Sequence, residues 1–164
     1  MAKWSATQNN WTPTAVADAT NFTNSGYFAW QGGSPTQRAN FLELYMGGLA
    51  GASAPAQMIV ARDSTVGATG LSGGTLAALD PATAALAAPP LQFSTSTTKP
   101  QRSATLYLLL PVFNAFGGVV RLNQPPGQEI GLLGNTASFG EISLSHASTG
   151  TPGLMGCHFI VDVF

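Results

Sequence analysis

Apolar and polar residues alternate along much of the chain after residue 40, and this two-residue period is typical of β-strands. In residues 40–50 (NFLELYMGGLA) the alternation predicts one apolar face, formed by Leu42, Leu44 and Met46. Shorter runs of the same kind predict further strands over residues 57–65, 91–98, 119–123, 129–133, 141–146 and 158–164. No strand–helix–strand alternation is present, so the strands are expected to pair antiparallel.

The most hydrophobic stretch of the chain is residues 105–116 (TLYLLLPVFNAF). Its length and uniform apolar character predict a central strand that is covered on both faces. Pro111 lies inside the stretch and predicts a bulge or a bend there, because proline donates no hydrogen bond to a neighbouring strand.

One segment has the pattern of a helix. Asp80 is a suitable N-cap, Pro81 follows at the first helical position, and residues 82–87 are rich in alanine. Pro89 and Pro90 would end the helix. We expect this short helix to lie within a long excursion between strands, residues 64–90.

The first 39 residues are polar and irregular, yet they contain all three tryptophans, Trp4, Trp11 and Trp30. We expect an N-terminal arm and first edge segment at 1–39, anchored either on its own sheet or on a neighbouring copy. Residues 40–164 then form the folded unit of a single domain. About eight strands, with one long crossing connection, predict an all-β, antiparallel, jelly-roll-like β-sandwich.

Charge is scarce: the 164 residues (16.8 kDa) carry six Lys+Arg and seven Asp+Glu, or 8% charged residues, where about 25% is ordinary. A hydrophobic content of 45% argues against a disordered chain. Six scattered basic residues form no footprint for nucleic acid or for an anionic membrane. A nearly neutral surface can pack against other protein without burying charges, so the composition favours an assembly protein.

The chain contains little recognisable chemistry. A single cysteine, Cys157, excludes an internal disulfide, and the carboxylates are dispersed singly. Ser145 and His146 are neighbours on one strand and therefore point to opposite faces, as do Cys157 and His158. A Cys157–His146 pair across strands stays open but is not favoured. We expect no catalytic residues, no metal site, no cofactor, no secretory signal and no membrane-spanning run.

Residues 100–164 resemble the C-terminal part of small virion proteins of tailed bacteriophages. The resemblance is carried by residues 113–121 (FNAFGGVVR), 126–129 (PGQE), 140–144 (GEISL) and 150–153 (GTPG). Proteins of this family are jelly rolls or β-sandwiches that decorate or cement the head shell. The resemblance implies a structural role on the capsid surface, manufacture in the host cytoplasm, and assembly as a homotrimer. It carries no active-site residues.

Two functions of different classes follow as expectations. The first is a capsid decoration or cement protein whose partners are the major capsid protein and its own copies, with neither nucleic acid nor membrane involved. Its candidate contacts are the 64–90 loop together with Trp4, Trp11, Trp30 and Arg102. The alternative is a lectin-like, carbohydrate-binding domain of a phage tail or adhesin. Its candidate ligand-binding residues are Tyr27, Trp30, Asn114 and Asn135.

Overall fold

The computed structural model describes residues 2–12, 27–67, 75–86, 91–93, 100–134, 139–147 and 153–164. Within these ranges the chain forms twelve strands and no helix. The strands are β1 (Lys3–Trp11), β2 (Tyr27–Gln31), β3 (Arg38–Leu49), β4 (Pro55–Thr65), β5 (Thr75–Ala78), β6 (Leu91–Phe93), β7 (Gln101–Leu109), β8 (Val112–Asn114), β9 (Phe116–Asn123), β10 (Ile130–Leu133), β11 (Glu141–His146) and β12 (Met155–Val163).

The strands form two antiparallel sheets. Sheet A has the order β10-β3-β12-β1-β5, and β9 also pairs with β3. Sheet B has the order β6-β2-β11-β4-β7, and β8 also pairs with β4. Residues from both sheets form one apolar core, so the predicted all-β, antiparallel β-sandwich is confirmed.

Aromatic rings connect the two sheets across the core. The ring centroids of Trp30 in sheet B and Phe41 in sheet A lie 5.0 Å apart, edge to face. Phe159 meets Phe41 edge to face at 5.0 Å and stacks on Phe28 at 5.9 Å. Such pairs stabilise a core by about 0.5–1.5 kcal/mol beyond the burial of their area.

A β-bulge in β3 changes which of its residues face the core. Phe41 pairs with Val161 and Glu43 with Ile160, which leaves Leu42 without an opposite residue on β12. Phe41 and Leu44 are both 2% exposed, whereas Leu42 is only half-buried. The predicted apolar face is therefore right for Leu44 and wrong for Leu42, because the bulge shifts the alternation by one residue.

The expected irregular N-terminal arm is wrong for the two segments described within it. β1 lies inside sheet A between β12 and β5, and β2 lies inside sheet B between β11 and β6. Trp4 and Ala6, at alternate positions of β1, are 7% and 0% exposed. Intervening polar residues such as Ser5 and Thr7 face away from the core and obscured this alternation. Residues 13–26 lie outside the described part.

The most hydrophobic stretch is not a central strand. β7 lies at an edge of sheet B, and Leu106 and Leu110 are 40% and 50% exposed. The bend at Pro111 was expected correctly, since β7 ends at Leu109 and β8 begins at Val112, which is 68% exposed. Apolar character in this stretch thus exceeds what the chain's own core requires.

The predicted helix is also wrong as far as the structure describes it, through Leu86. The Asp80 carboxylate accepts a hydrogen bond from the Ala82 amide at 2.9 Å, and the Asp80 carbonyl accepts one from the Thr83 amide at 3.0 Å. These bonds close one turn, which is too short to continue as a helix so near two prolines. The described residues include no helix long and apolar enough to cross a membrane.

Candidate functional site

A groove of about 460 Å³ lies on the face of sheet A that points away from the core. Its floor consists of glycine backbone, and Gly47 and Gly156 lie directly opposite each other on β3 and β12. A glycine floor leaves the main chain of the sheet open to close approach. Tyr45 and His158 line one part of the groove, and the aliphatic side chains of Leu49 and Val119 line another.

Two aromatic rings that line the groove are brought together by the register of β3 and β12. His158 pairs with Tyr45, and their rings stack at 5.0 Å with only 7° between the planes. Tyr45 pairs in turn with Arg121, whose guanidinium donates two hydrogen bonds to the Glu43 carboxylate at 2.7 and 3.2 Å. Burial lowers the pKa of His158, Glu43 opposes this and Arg121 adds to it, so the imidazole is neutral at pH 7.

Three exposed side chains form an apolar patch beside the groove: Leu49, Phe116 and Val119, which are 63%, 58% and 58% exposed. Leu49 pairs with Phe116, and Val119 pairs with Gly47 of the groove floor. A bulge between these two pairs brings Phe116 opposite Leu49. Large apolar side chains grouped on a surface are typical of a binding face rather than of solvated surface.

The Asn114 side chain fixes the corner that carries Phe116. Its Oδ1 accepts hydrogen bonds from the amides of Ala54 and Phe116 at 2.9 and 3.0 Å, and its Nδ2 donates to the Ser53 hydroxyl at 2.8 Å. The amide of Asn114 is thus committed within the chain. It holds the patch in place and is a poor candidate for the sugar-binding role expected from the sequence.

A row of buried polar side chains crosses sheet B on the face opposite the core. Register aligns Gln31 with Glu141 and Asp63 with Arg102, and extending the β11–β4 pairing by one residue places Glu141 opposite Asp63. These four side chains, which we call the polar row, are 7%, 0%, 0% and 3% exposed in the order Gln31, Glu141, Asp63 and Arg102.

The two carboxyl groups of the polar row are held by neighbouring donors. Asp63 Oδ1 accepts a hydrogen bond from the Ser143 hydroxyl at 2.6 Å, and Glu141 Oε2 accepts one from the Gly67 amide at 2.9 Å. Their other oxygens, Asp63 Oδ2 and Glu141 Oε1, are buried and receive no donor from the described residues. A proton shared between the two carboxyl groups satisfies this arrangement.

The pKa values of the pair agree with a shared proton. Burial, the Glu141 charge and a hydrogen bond to Glu141 raise the pKa of Asp63 well above its usual range, against the lowering effect of Ser143 and Arg102. Burial also raises the pKa of Glu141, to about 7, although hydrogen bonds from Asp63 and Gly67 lower it. Both shifts favour retention of a proton within the Asp63–Glu141 pair at neutral pH.

Most residues proposed from the sequence as partner contacts are buried. Trp4 and Trp30 belong to the core, so neither can reach a partner in this fold. Arg102, the fourth candidate contact, is buried in the polar row, and its guanidinium carbon is 4.9 Å from the centre of the Tyr107 ring. The side chain of Trp11 lies outside the described part of the chain.

The structure gives equally little support to the other residues proposed from the sequence for sugar binding or catalysis. Tyr27 is 0% exposed, and Asn135 lies outside the described residues. Cys157 and His146 are 5% and 3% exposed, so a pair formed by them would have no access to a substrate. Among the described residues, no three His, Cys, Asp or Glu side chains converge on a point that could hold a metal ion.

Sequence reasoning missed both the groove and the polar row. Gly47 was a usable signal, since a glycine in a strand predicts close approach, but its partner Gly156 is known only from the register. Asp63 and Glu141 are far apart in sequence, and no local pattern predicts that they meet. Comparisons of the chain with protein-family models, with curated proteins and with solved structures found no match.

Proposed function

We propose that the protein is a structural component of a tailed-bacteriophage virion, a decoration or cement protein that binds the outside of the head shell at junctions between capsid subunits and stabilises it. The observation that carries this proposal is the apolar patch of Leu49, Phe116 and Val119, exposed beside an open groove on a rigid sheet. The resemblance of residues 100–164 to virion proteins points the same way.

The strand order supports a jelly roll, a fold that occurs among viral capsid proteins. With β7 and β8 counted as one bent strand, and β9 and β10 as another, sheet B has the order β2-β11-β4-β7/8 and sheet A the order β9/10-β3-β12-β1. Successive strands β1 and β2, β3 and β4, and β11 and β12 lie in opposite sheets. The count becomes eight, and β5 and β6 extend the two edges. Because the same fold also hosts lectins, it does not decide the function.

The energetics favour adhesion through apolar contact. Burial of apolar surface contributes about 25 cal/mol per Å² before the costs of association. Burying the exposed part of Phe116 and its two neighbours therefore contributes a few kcal/mol per copy. A homotrimer on the capsid surface multiplies such contacts by avidity. With so few charges to screen, binding is insensitive to salt.

Binding to head shells tests the proposal. Shells assembled from the major capsid protein alone are incubated with the protein and sedimented, from low salt to about 0.5 M NaCl. We expect saturable binding at all salt concentrations and a particle mass of about 50 kDa for the free protein, three copies of 16.8 kDa. Phe116→Ser weakens binding tenfold or more.

Leu79→Ser is the matched control, because Leu79 is 53% exposed and lies beyond β5, the sheet A edge farthest from β9. This variant is expected to bind shells as the unmodified protein does. Release of the protein from shells by moderate salt, or equal loss in both variants, contradicts the proposal.

Carbohydrate binding is a second candidate, favoured by one observation. The stacked rings of Tyr45 and His158 stand over a glycine floor, and the Arg121–Glu43 pair lies in the adjoining register. Aromatic rings beside planar hydrogen-bonding groups are the elements with which proteins hold sugar rings. Since Trp30 is buried, the site moves from the residues proposed on sequence to this groove.

A glycan array separates the two candidates. Under the second candidate, the protein binds a defined glycan with micromolar affinity and Tyr45→Ala abolishes that binding. Phe164→Ala serves as the control, since Phe164 is a 52% exposed aromatic residue that pairs with Arg38, at the far end of β3. Shell binding without glycan binding eliminates the second candidate.

A further inference from the structure

We infer that the polar row is a proton-operated latch: one proton shared by Asp63 and Glu141 holds β7 and the chain at Gly67 against β4 and β11, and loss of that proton releases them. The inference is independent of what the protein binds. It rests on the placement of two opposed carboxyl groups and one guanidinium in a site that is closed to solvent.

The net charge of the polar row depends on whether the Asp63–Glu141 pair holds a proton. The site contains two carboxyl groups and one guanidinium, all at most 3% exposed. Arg102 compensates one negative charge, so the site is neutral only while the other carboxyl group keeps a proton. When that proton leaves, a second carboxylate is buried beside the first without a partner cation. An uncompensated buried charge is among the most destabilising changes a fold can undergo.

Among the described residues, the groups around the pair supply no second cation. On β4, Arg62 is next to Asp63 in sequence, but its side chain points to the other face, where Nη2 donates to the Gly131 carbonyl at 2.6 Å. β11 contributes the Ser143 hydroxyl, and β2 contributes Gln31, which is uncharged. Arg102 of β7 is thus the cation that faces the pair from the described strands.

β7 is irregularly paired with β4 at this point. Its register with β4 shifts three times between Val60 and Thr65, so few ladder hydrogen bonds hold it there. Ser103 Oγ accepts hydrogen bonds from the amides of Thr105 and Leu106 at 3.3 and 3.2 Å, which closes a local bulge just after Arg102. This end of β7 meets β4 where Arg102 pairs with Asp63, and the adjacent Gln101 accepts hydrogen bonds from Ser64 Oγ and Thr65 Oγ1 at 3.2 and 3.4 Å.

The second attachment is at Gly67. Its amide donates to Glu141 Oε2 at 2.9 Å in a buried position, two residues beyond the end of β4. This bond ties the start of the excursion between β4 and β5 to β11. Repulsion between two ionised carboxylates displaces the Glu141 side chain and breaks this attachment together with that of β7.

The sign of the pH dependence follows from linkage. The folded state keeps a proton that the unfolded state loses, so the folded state is favoured at low pH and stability falls as pH rises through the folded pKa. The pKa values of both carboxyl groups are raised, that of Glu141 from 4.5 to about 7, so stability falls as pH rises from the ordinary carboxyl range through pH 7.

Hydrogen exchange on the full chain, with urea unfolding at pH 5 and pH 8.5, tests the latch. In the unmodified protein we expect amide protection at Gly67 and across residues 101–107 to fall by about 100-fold or more on raising the pH, after correction for intrinsic exchange. Protection in β12 is expected to fall much less.

Glu141→Gln keeps an acceptor for Gly67 and supplies a donor to Asp63, but cannot ionise. It is expected to abolish the pH dependence at both attachments. Asp63→Asn makes the same replacement from the other side and serves if the first variant folds poorly. Glu129→Gln is the matched control, because Glu129 is half-buried and its carboxylate accepts a hydrogen bond from the Gly127 amide within its own turn, away from the polar row. An unchanged pH profile in Glu141→Gln, or a uniform loss of protection along the whole chain, overturns the latch.

Discussion

Gly48 and Gly47 are adjacent in β3, yet the structure predicts opposite effects when each is replaced by alanine. A Cβ on Gly48 would lie 2.0 Å from the carbonyl oxygen of Ala115 and 2.3 Å from its Cα. Both are backbone atoms and cannot rotate away. A Cβ on Gly47 would point into the groove, with Tyr45 Cε1 at 3.8 Å as its nearest neighbour, an ordinary contact.

The magnitude for Gly48→Ala follows from these contacts. Relieving the overlap pushes Ala115 outward, and overpacking of this kind costs about 1–3 kcal/mol. The same Ala115 carbonyl accepts a hydrogen bond from the Ala50 amide at 3.0 Å, and its loss adds about 1 kcal/mol. We expect Gly48→Ala to lower the free energy of unfolding by about 3 kcal/mol.

Gly47→Ala is the matched control with the opposite sign. The new methyl group meets no obstacle, and alanine loses less backbone entropy on folding than glycine does. We expect a gain of about 0.5 kcal/mol. Urea unfolding of both variants, followed by tryptophan fluorescence, measures the two values. A Gly48→Ala variant within about 0.5 kcal/mol of the unmodified protein would refute the close approach of β3 to the corner.

Three further outcomes are expected. Asn114→Ala removes the hydrogen bonds that hold the corner and lowers the free energy of unfolding by about 2 kcal/mol, whereas Asn123→Ala, on an exposed position of β9, changes it little by the same urea assay. Trp30→Ala leaves a cavity against Phe41 and costs about 3–5 kcal/mol in a thermal or urea melt. Cys157 is 5% exposed, so a thiol reagent should modify it only after urea unfolds the chain; fast reaction in the native protein would contradict its burial.

Strands with one apolar face were predictable from the sequence. Residues 141–146 and 40–50 were expected as strands, and the structure places β11 at Glu141–His146 and β3 at Arg38–Leu49. In both, the alternation is dictated by which side chains reach the core. The bulge at Leu42 was not predictable, because it depends on the pairing of β3 with a strand more than 100 residues later.

Hydrophobicity alone misplaced the stretch 105–116. A run of apolar residues predicts burial, but it cannot tell burial in the chain's own core from burial against another protein. β7 took the edge of sheet B, since β2, β11 and β4 already cover the core, and side chains such as Leu110 were left in solvent. Apolar side chains that the chain's own core does not cover thus underlie both the wrong prediction of a central strand and the proposed docking function.

The polar row could not be predicted from the sequence, for a related reason. Single carboxylates carry no signal until strand register brings them together, as it does for Asp63 and Glu141. A cross-strand pair is set by the entire topology, whereas a capping aspartate such as Asp80 acts within its own turn. Even there, the local signal was correct for the capping hydrogen bond and wrong for the helix that was expected to follow.

Burial makes the scarcity of charge more pronounced than the composition suggests. Among the described residues, four charged side chains are buried, namely Asp63, Arg102, Glu141 and Asp162, so at most nine of the thirteen charged residues lie on the surface. Two of these, Arg121 and Glu43, neutralise each other. Forming an interface is costly when unpaired charges lose their hydration, and this surface has few unpaired charges. Contacts at the apolar patch are therefore expected to depend on shape and apolar area, with specificity from the rigid corner at Asn114 rather than from charge complementarity.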